Sequence, residues 1–429
     1  MLVVSRDFYP AAAIGCHRTG KFCKYLGEYG WRPTVLTVRE EFLHGPRDPA
    51  LLAQLPADLE IARTFYPDER RLAARVRRLL GRLRPRPDGS SGPLPAPAAG
   101  KVGLQRWLGV PDPSLAWLPW ALRAGLPLAR RCDAVYVTAP PHGAVVVAAV
   151  LSRLAKRPLV IDFRDPWMLD RTLIHPSALH RWLNERLERW CIRGARRVVV
   201  NTPRAEQAYR RRFPDAPAEK FVTIPNGFDP ADFEMGPSAR RPREPGQPVA
   251  FAYVGNLHGG RDPGPLLRAA RQVQERRSAA GPPIAVRFWS FTEEIVRECV
   301  RREGAEAIAE VHPAVPHREA LRAMLDSDVL LLFGAADTDE LHVAGKLFEY
   351  VYCRKPVLAL VEEGAITDLI DRYRLGLWCS PRDEARIADC VEALVDHAGS
   401  GEPWPIAPEA FRDFDRRRQA GQLAAVLRC

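Results

Sequence analysis

No apolar run in this 429-residue chain approaches the length of a membrane-spanning helix. The longest, around Ala144 to Leu151, falls far short of the roughly 20 residues that cross a bilayer. No CxxC is present. The nine cysteines, an odd number, are scattered and sit mostly in apolar segments, which argues against a disulfide framework or a zinc site and for a reducing compartment. No secretory signal is visible, and none is expected, because Met1 runs straight into strand-like Leu2-Val3-Val4 and then Arg6-Asp7. That start is abrupt enough to expect a few natural residues before it. A cytoplasmic protein, at most touching the inner face of the cell membrane, is expected.

What is present describes a globular protein with sizeable cores: 46% of residues are hydrophobic and 27% charged. At this length two domains are the default. Short buried strands are expected at Leu2 to Ser5, Pro33 to Thr37, Ala134 to Thr138, Leu159 to Phe163 and Val198 to Asn201, with helical stretches between them. Strands separated by helices imply parallel βαβ units. The pattern restarts after the Pro/Arg-rich PSARRPREPGQP (237 to 248), with strands at Val249 to Val254, Ala285 to Trp289, Val329 to Phe333 and Pro356 to Leu360. The expectation is an α/β protein of two Rossmann-like domains facing across a cleft. Residues 1–228 form the first domain, 229–248 a linker, 249–403 the second domain, and 404–429 a C-terminal helix that packs back.

An insertion at 69–120 breaks the rhythm. ERRLAARVRRLLGRLRPRPD (69 to 88) carries eight arginines, and Leu72, Val76, Leu79, Leu80 and Leu83 fall on one helical face. A Pro/Gly/Ser-rich loop follows, then WLGVPDPSLAWLPW with Trp107, Trp117 and Trp120. This is either a surface cover or an interfacial element that meets anionic membrane through residues 70–120. Nucleic acid is not expected as a partner, since no recognised module accompanies the basic residues.

Several motifs carry chemistry. Gly15 to Lys21 satisfies GxxxxGK, but Phe22 stands where a Walker motif needs Ser or Thr to hold Mg²⁺. What survives is a glycine at a helix start, where backbone and dipole favour an anion. Gly15, His17 and Arg18 are therefore a candidate phosphate or acceptor loop. TAPPHGAVVVAAV places His142 just past a strand end, and VIDFRDPW puts Asp162, Arg164 and Asp165 at the same edge, where open α/β sheets bind ligands. Asp337-Thr338-Asp339 has the form of a DxD metal site, although a solvated acidic loop accounts for it better, and no metal is expected.

In the second half, FAYVGNLHGGRDPGPLL reads as strand, Gly-rich turn and helix. Gly255, Gly259 and Gly260 allow close approach of a phosphate, and Arg261 can pair with it. HVAGKLFEYVYCRKPVLAL places Lys346 at a helix start and Glu349 one turn on. A lysine there can hold phosphate oxygens, and a carboxylate can accept from two ribose hydroxyls. Arg261, Lys346 and Glu349 together describe a nucleotide diphosphate pocket.

RDFYPAAAIGCHRTGKF, TAPPH, VIDFRDPW, VTIPNGFDP, YVGNLHGGRDP and GKLFEYV…KPVLAL together resemble a retaining family 4 glycosyltransferase of the GT-B fold, in the subgroup with PPH and DFRDPW segments. The resemblance covers nearly the whole chain. It implies that the C-terminal domain binds a nucleotide sugar, UDP- or GDP-linked, and that the N-terminal domain binds an acceptor glycan or lipid-linked saccharide. No cofactor or metal is implied. Arg261 would contact the diphosphate and Glu349 the ribose, with Gly255, Asn256, Lys346 and Leu347 completing the donor set. His142, Asp162 and Asp165 would be the catalytic group, orienting hydroxyls. The sequence departs from the family twice. Leu341 stands where E-x7-E has its first glutamate, and Asn256 stands where an arginine often follows YVG. The implied activity is sugar transfer with retention, in polysaccharide or glycoconjugate assembly. Two alternatives stay open: a nucleotide-sugar epimerase of the same fold, and a non-catalytic nucleotide-binding protein.

Overall fold

The computed structural model describes residues 1–43, 45–68, 109–233, 246–257, 260–277, 281–335 and 340–428. The arginine-rich stretch at 69–88, Trp107, Gly259, Asp337-Thr338-Asp339 and most of the 237–248 connector lie outside the described residues. Two compact units divide the chain. The first comprises Met1–Val200, Ala208–Ile224 and Ala420–Cys429, and the second Asn201–Gln207 and Pro225–Gln419.

The first unit is built on a seven-stranded parallel sheet. Its strands are β1 (Leu2–Val4), β2 (Thr34–Val38), β3 (Glu60–Thr64), β4 (Val135–Ala139), β5 (Leu159–Phe163), β6 (Arg197–Val200) and β7 (Phe221–Thr223), in the order β3-β2-β1-β4-β5-β6-β7. VYVTA and LVIDF are buried at every position, as expected of central strands covered by helices on both faces. The covering helices are α1 (Ile14–Tyr25), α2 (Leu118–Arg131), α3 (Gly143–Ala155), α4 (Ala178–Gly194) and α5 (Pro203–Arg212), the last beginning in the segment that clusters with the second unit.

The second unit repeats the plan with six parallel strands. They are β8 (Val249–Val254), β9 (Ile284–Ser290), β10 (Ala309–Pro313), β11 (Val329–Phe333), β12 (Val357–Leu360) and β13 (Gly376–Cys379), in the order β10-β9-β8-β11-β12-β13. Its helices are α6 (Gly264–Arg277), α7 (Glu293–Arg302), α8 (His317–Leu325), α9 (Lys346–Cys353), α10 (Ala365–Tyr373), α11 (Glu384–Ser400) and α12 (Pro408–Asp413). Strand side chains alternate between two cores. Phe251, Tyr253, Leu331, Phe333, Leu358 and Leu360 enter one with α6 and α11, while Ala252, Leu330, Leu332 and Ala359 enter the other with α9 and α10. Each large apolar side chain so buried contributes about 1.5–3 kcal/mol.

Two chain reversals matter for the site. In both sheets the first strand lies between the second and fourth, β1 pairing with β2 and β4, and β8 with β9 and β11. Ligands of doubly wound sheets bind outside the carboxyl ends of the strands at this switch point. The tail is not one helix from 404 onward. It breaks at Phe414-Asp415 between α12 and α13 (Arg416–Arg428). The last ten residues cluster with the first unit, where Trp31 Nε1 donates to the Ala424 carbonyl at 3.2 Å and Arg428 donates to that of Tyr29.

Candidate functional site

In the second unit, β8 ends at Val254 and the chain turns through Gly255, whose φ of +143° suits glycine. A side chain at 255 would collide with the Lys346 ammonium. That ammonium, at the first position of α9, donates to the Val254 carbonyl at 2.9 Å and lies 3.9 Å over the Tyr253 ring. Burial lowers the Lys346 pKa to about 7; Arg261 nearby adds to the effect and Glu349 opposes it. Arg261 Nε donates to the Phe333 carbonyl at 3.1 Å, at the end of β11. Lys346, Gly255 and Arg261 are thus gathered at the β8/β11 switch point.

Glu349, one turn along α9, is half-buried and accepts from His317 Nε2 at 2.9 Å. His317 opens α8, and nothing in its local sequence marks it as a partner of this glutamate. Asn256 locks the turn: its carbonyl accepts from the Tyr253 hydroxyl at 2.9 Å, and its side-chain oxygen accepts from the Phe291 amide at 3.0 Å. Leu347 does not line the site. Its side chain is fully buried in the core formed with α10 and β12, because the helix face that presents Lys346 and Glu349 to the strand ends turns Leu347 inward. A separate concavity of about 350 Å³ runs along the other side of Arg261. Asp262, Glu294 and Glu298 line it, and those carboxylates oppose a diphosphate.

At the corresponding edge of the first unit, Gly15 lies in the first turn of α1, and the Arg164 guanidinium fills the space a side chain there would need. Arg164 straps this loop to the end of β4, donating to the carbonyls of Ala139 at 3.3 Å and Pro140. His17 Nδ1 is 3.4 Å from the Tyr9 hydroxyl.

Arg18 and Asp162 do not reach this edge. They form a sealed ion pair, 1% and 0% exposed, in which Arg18 Nε and Nη2 donate to the two carboxylate oxygens at 2.7 and 3.0 Å. Arg18 also donates to the Ile224 carbonyl at 2.9 Å, and the Tyr136 hydroxyl donates to Asp162. Neither side chain is presented to solvent at this edge. Asp162 lies inside the sheet's covering layer, one strand residue before Phe163, and the pair holds α1 on the sheet.

His142 keeps its expected place. It immediately precedes α3, is buried, and stacks on Trp167 with ring centroids 4.9 Å apart and planes 17° apart. Its Nε2 is sealed from solvent without a hydrogen-bond partner. Burial lowers its pKa, and the carboxylates of Asp112 and Asp165 act in the opposite direction. Asp112 was not anticipated. Its Oδ2 accepts from the His142 and Gly143 amides at 2.7 and 3.1 Å, and its Oδ1 accepts from the Ser114 amide at 2.9 Å. The Asp-Pro-Ser run within WLGVPDPSLAWLPW is a capping signal in retrospect. Nothing in it shows that the same carboxylate also caps α3, 30 residues on.

Among the described residues no group of three or more His, Cys, Asp or Glu is placed to hold a metal ion. No described helix is long and apolar enough to cross a membrane.

Residues 17–227 match the family described as glycosyl transferase 4-like domain. No curated protein matches the sequence significantly. Solved structures match over the whole chain. HepE of Anabaena, in complex with UDP and glucose, is 18% identical with a TM-score of 0.63, covering 100% of this chain and 99% of that one. Sucrose-phosphate synthase of Thermosynechococcus elongatus is 14% identical with a TM-score of 0.62, covering 100% and 98%. WaaG, a glycosyltransferase involved in lipopolysaccharide biosynthesis, is 11% identical with a TM-score of 0.63, covering 100% and 99%. These likenesses establish the fold, two Rossmann-like units of the GT-B class.

Proposed function

We propose that the chain is a glycosyltransferase that moves a sugar from a nucleotide-sugar donor to an acceptor glycan or lipid-linked saccharide, with retention and without a metal. The observation that carries the reading is the buried Lys346 ammonium at the Gly255 turn, with Arg261 beside it and Glu349 one turn along the same helix. A cation buried without a carboxylate against it is costly unless an anion completes it. A diphosphate supplies that anion. The glycosyl transferase 4-like match and the solution of HepE with UDP and glucose support the donor class.

When the bond between the anomeric carbon and the diphosphate oxygen breaks, its electrons pass to the leaving phosphate. Lys346 and Arg261 stabilise that growing charge. Each such contact is worth about 1.5–3 kcal/mol, or roughly tenfold to a hundredfold in rate. Glu349 Oε1 is engaged by His317, and the carboxylate accepts from the ribose hydroxyls. In the first unit His142 Nε2 and Asp165 orient a sugar or acceptor hydroxyl. The acceptor attacks on the face the diphosphate leaves, and the departing phosphate takes its proton. A membrane-borne acceptor, met through residues 70–120, agrees with the arginine-rich insertion.

The test is a panel of UDP-, GDP- and ADP-sugars read by thermal shift and by slow hydrolysis, with Lys346→Ala and Glu349→Ala as controls. One donor class should stabilise the protein and be hydrolysed, and both variants should lose the effect. Stabilisation without hydrolysis or transfer favours a non-catalytic binder, and donor conversion without an acceptor favours an epimerase. The reading is falsified if both variants leave donor binding and turnover unchanged.

A further inference from the structure

Helix α4 buries polar side chains and, over its first half, exposes apolar ones. Its inner face buries Asn184, which accepts from Trp167 Nε1 at 3.0 Å, and Glu188, which is fully buried and accepts from the Met168 amide and Arg212 at 3.0 Å each. Its outer face leaves Leu179 61% and Trp182 53% exposed, and Ile174 in the preceding loop is 57% exposed. Surface helices ordinarily bury the apolar stripe and expose the charges. Here Cys191 and Ile192 are buried toward the C-terminal end together with the Asn184 and Glu188 hydrogen bonds, while large apolar side chains near the start of the helix are left in water.

The outward stripe changes character along its length. Leu179, Trp182, Arg186, Arg189 and Arg193 follow one another at three- and four-residue steps, which puts them on one face about 21 Å long, and all five are exposed. The Arg186 guanidinium lies 5.5 Å over the Trp182 ring, and among the described residues no carboxylate pairs with Arg186, Arg189 or Arg193. The nearby acid, Glu185, is taken by Arg181 at 3.2 Å.

We propose that this face docks on an anionic lipid bilayer, with Ile174, Leu179 and Trp182 entering the interface and Arg186, Arg189 and Arg193 meeting the phosphates. Apolar and aromatic side chains beside arginines are what an anionic interface accepts. A second copy of the chain packed on this same face would offer the arginines no free carboxylate, since Glu185 is taken by Arg181, and a nucleic acid would leave Ile174 and Leu179 without a role. The surface is carried by residues 174–193 and does not depend on the sugar-transfer reading.

The experiment is co-sedimentation of the full chain with vesicles of equal parts phosphatidylglycerol and phosphatidylcholine, and with phosphatidylcholine alone. Wild type should bind the mixed vesicles, less at high salt, and the neutral ones weakly. A Leu179→Ser/Trp182→Ser variant should bind roughly tenfold more weakly or worse. Arg186→Glu/Arg189→Glu should lose the dependence on anionic lipid. Both pairs sit at exposed positions, so if one variant misfolds the other still gives the readout, and the melting temperature checks each. The idea fails if wild type ignores both vesicles or if the variants bind as wild type does. It also fails if the serine variant changes oligomeric state while vesicle binding stays intact, which would make the face a protein contact.

Discussion

The ammonium of Lys346 occupies the space that a side chain at position 255 would fill, 2.9 Å from the Val254 carbonyl. Gly255 also holds a φ of +143°. A Gly255→Ala substitution therefore meets two obstacles, backbone strain of about 1–3 kcal/mol and eviction of the cation. The expected outcome is a lower melting temperature together with loss of the donor-induced thermal shift. Gly304→Ala serves as the contrast, because its φ of +61° is also positive but an added carbon there meets nothing. It should lose some stability and keep the shift. If both variants keep the shift, Lys346 is not the diphosphate cation.

Lys346 ties donor binding to pH with a definite sign. Burial brings its pKa from 10.5 to about 7. Across that window the unfolded chain holds a proton that the native protein lacks, so folding stability rises as pH rises from 7 toward 10.5. Donor binding runs the other way. A diphosphate needs the charged form, so its affinity should be full below pH 7 and weaken by about tenfold per unit above it. Titration calorimetry at pH 8, in buffers of different ionisation enthalpy, should show uptake of nearly one proton per donor bound. Lys346→Met should abolish that uptake and, by removing a buried cation, stabilise the free protein by about 1–4 kcal/mol. Proton-neutral binding at pH 8 would contradict the assignment.

The sheets show which parts of this fold were legible in the sequence. Every central strand was readable, because VLLLF is a continuous apolar run and LVIDF is apolar apart from Asp162, and both are buried at every position. The four strands that were missed, β3, β7, β10 and β13, are the outermost strands of the two sheets. Glu60 in EIART and Glu310 in AEVHP are exposed, and FVT has only three residues. Edge strands take their place from a neighbour's hydrogen bonds and so need no apolar run of their own. The site divides in a similar way. Lys346, Gly255 and Arg261 were legible because their positions follow from strand ends and helix starts. Asp112 and His317 were not, since each acts through a contact formed only when distant segments fold together. Leu347 and Asp162 turn inward, which a motif does not reveal because it gives spacing and not the direction a side chain takes.

Arg18 and Asp162 make a stability prediction in place of a catalytic one. With both groups sealed and bidentate, removing one leaves an unpaired buried charge, at a cost of about 3–5 kcal/mol. Denaturant unfolding of Asp162→Ala should show that loss, while the folded fraction retains normal turnover. A double Arg18→Met/Asp162→Leu variant should be less destabilised than the sum of the two single variants. A fall in turnover with stability intact would return Asp162 to the catalytic group.

His142 presents the opposite case, a buried group with something left undone. Its Nε2 has no partner while its ring is held on Trp167 at 4.9 Å, and an unsatisfied buried polar atom costs about 1–3 kcal/mol. His142→Phe keeps a stacked ring and removes the orphan, so the melting temperature should hold or rise. If Nε2 is reserved for a sugar or acceptor hydroxyl, transfer should fall by roughly tenfold to a hundredfold. Donor affinity should stay unchanged, since the proposed diphosphate contacts are Lys346 and Arg261. Because burial lowers the His142 pKa from 6.5, the ring is neutral at pH 7, and its own titration should appear in the rate only as pH falls below 6.5. Unchanged transfer in His142→Phe would mean that the ring serves only to pack against Trp167. A fall in donor affinity instead would place His142 on the nucleotide side of the reaction.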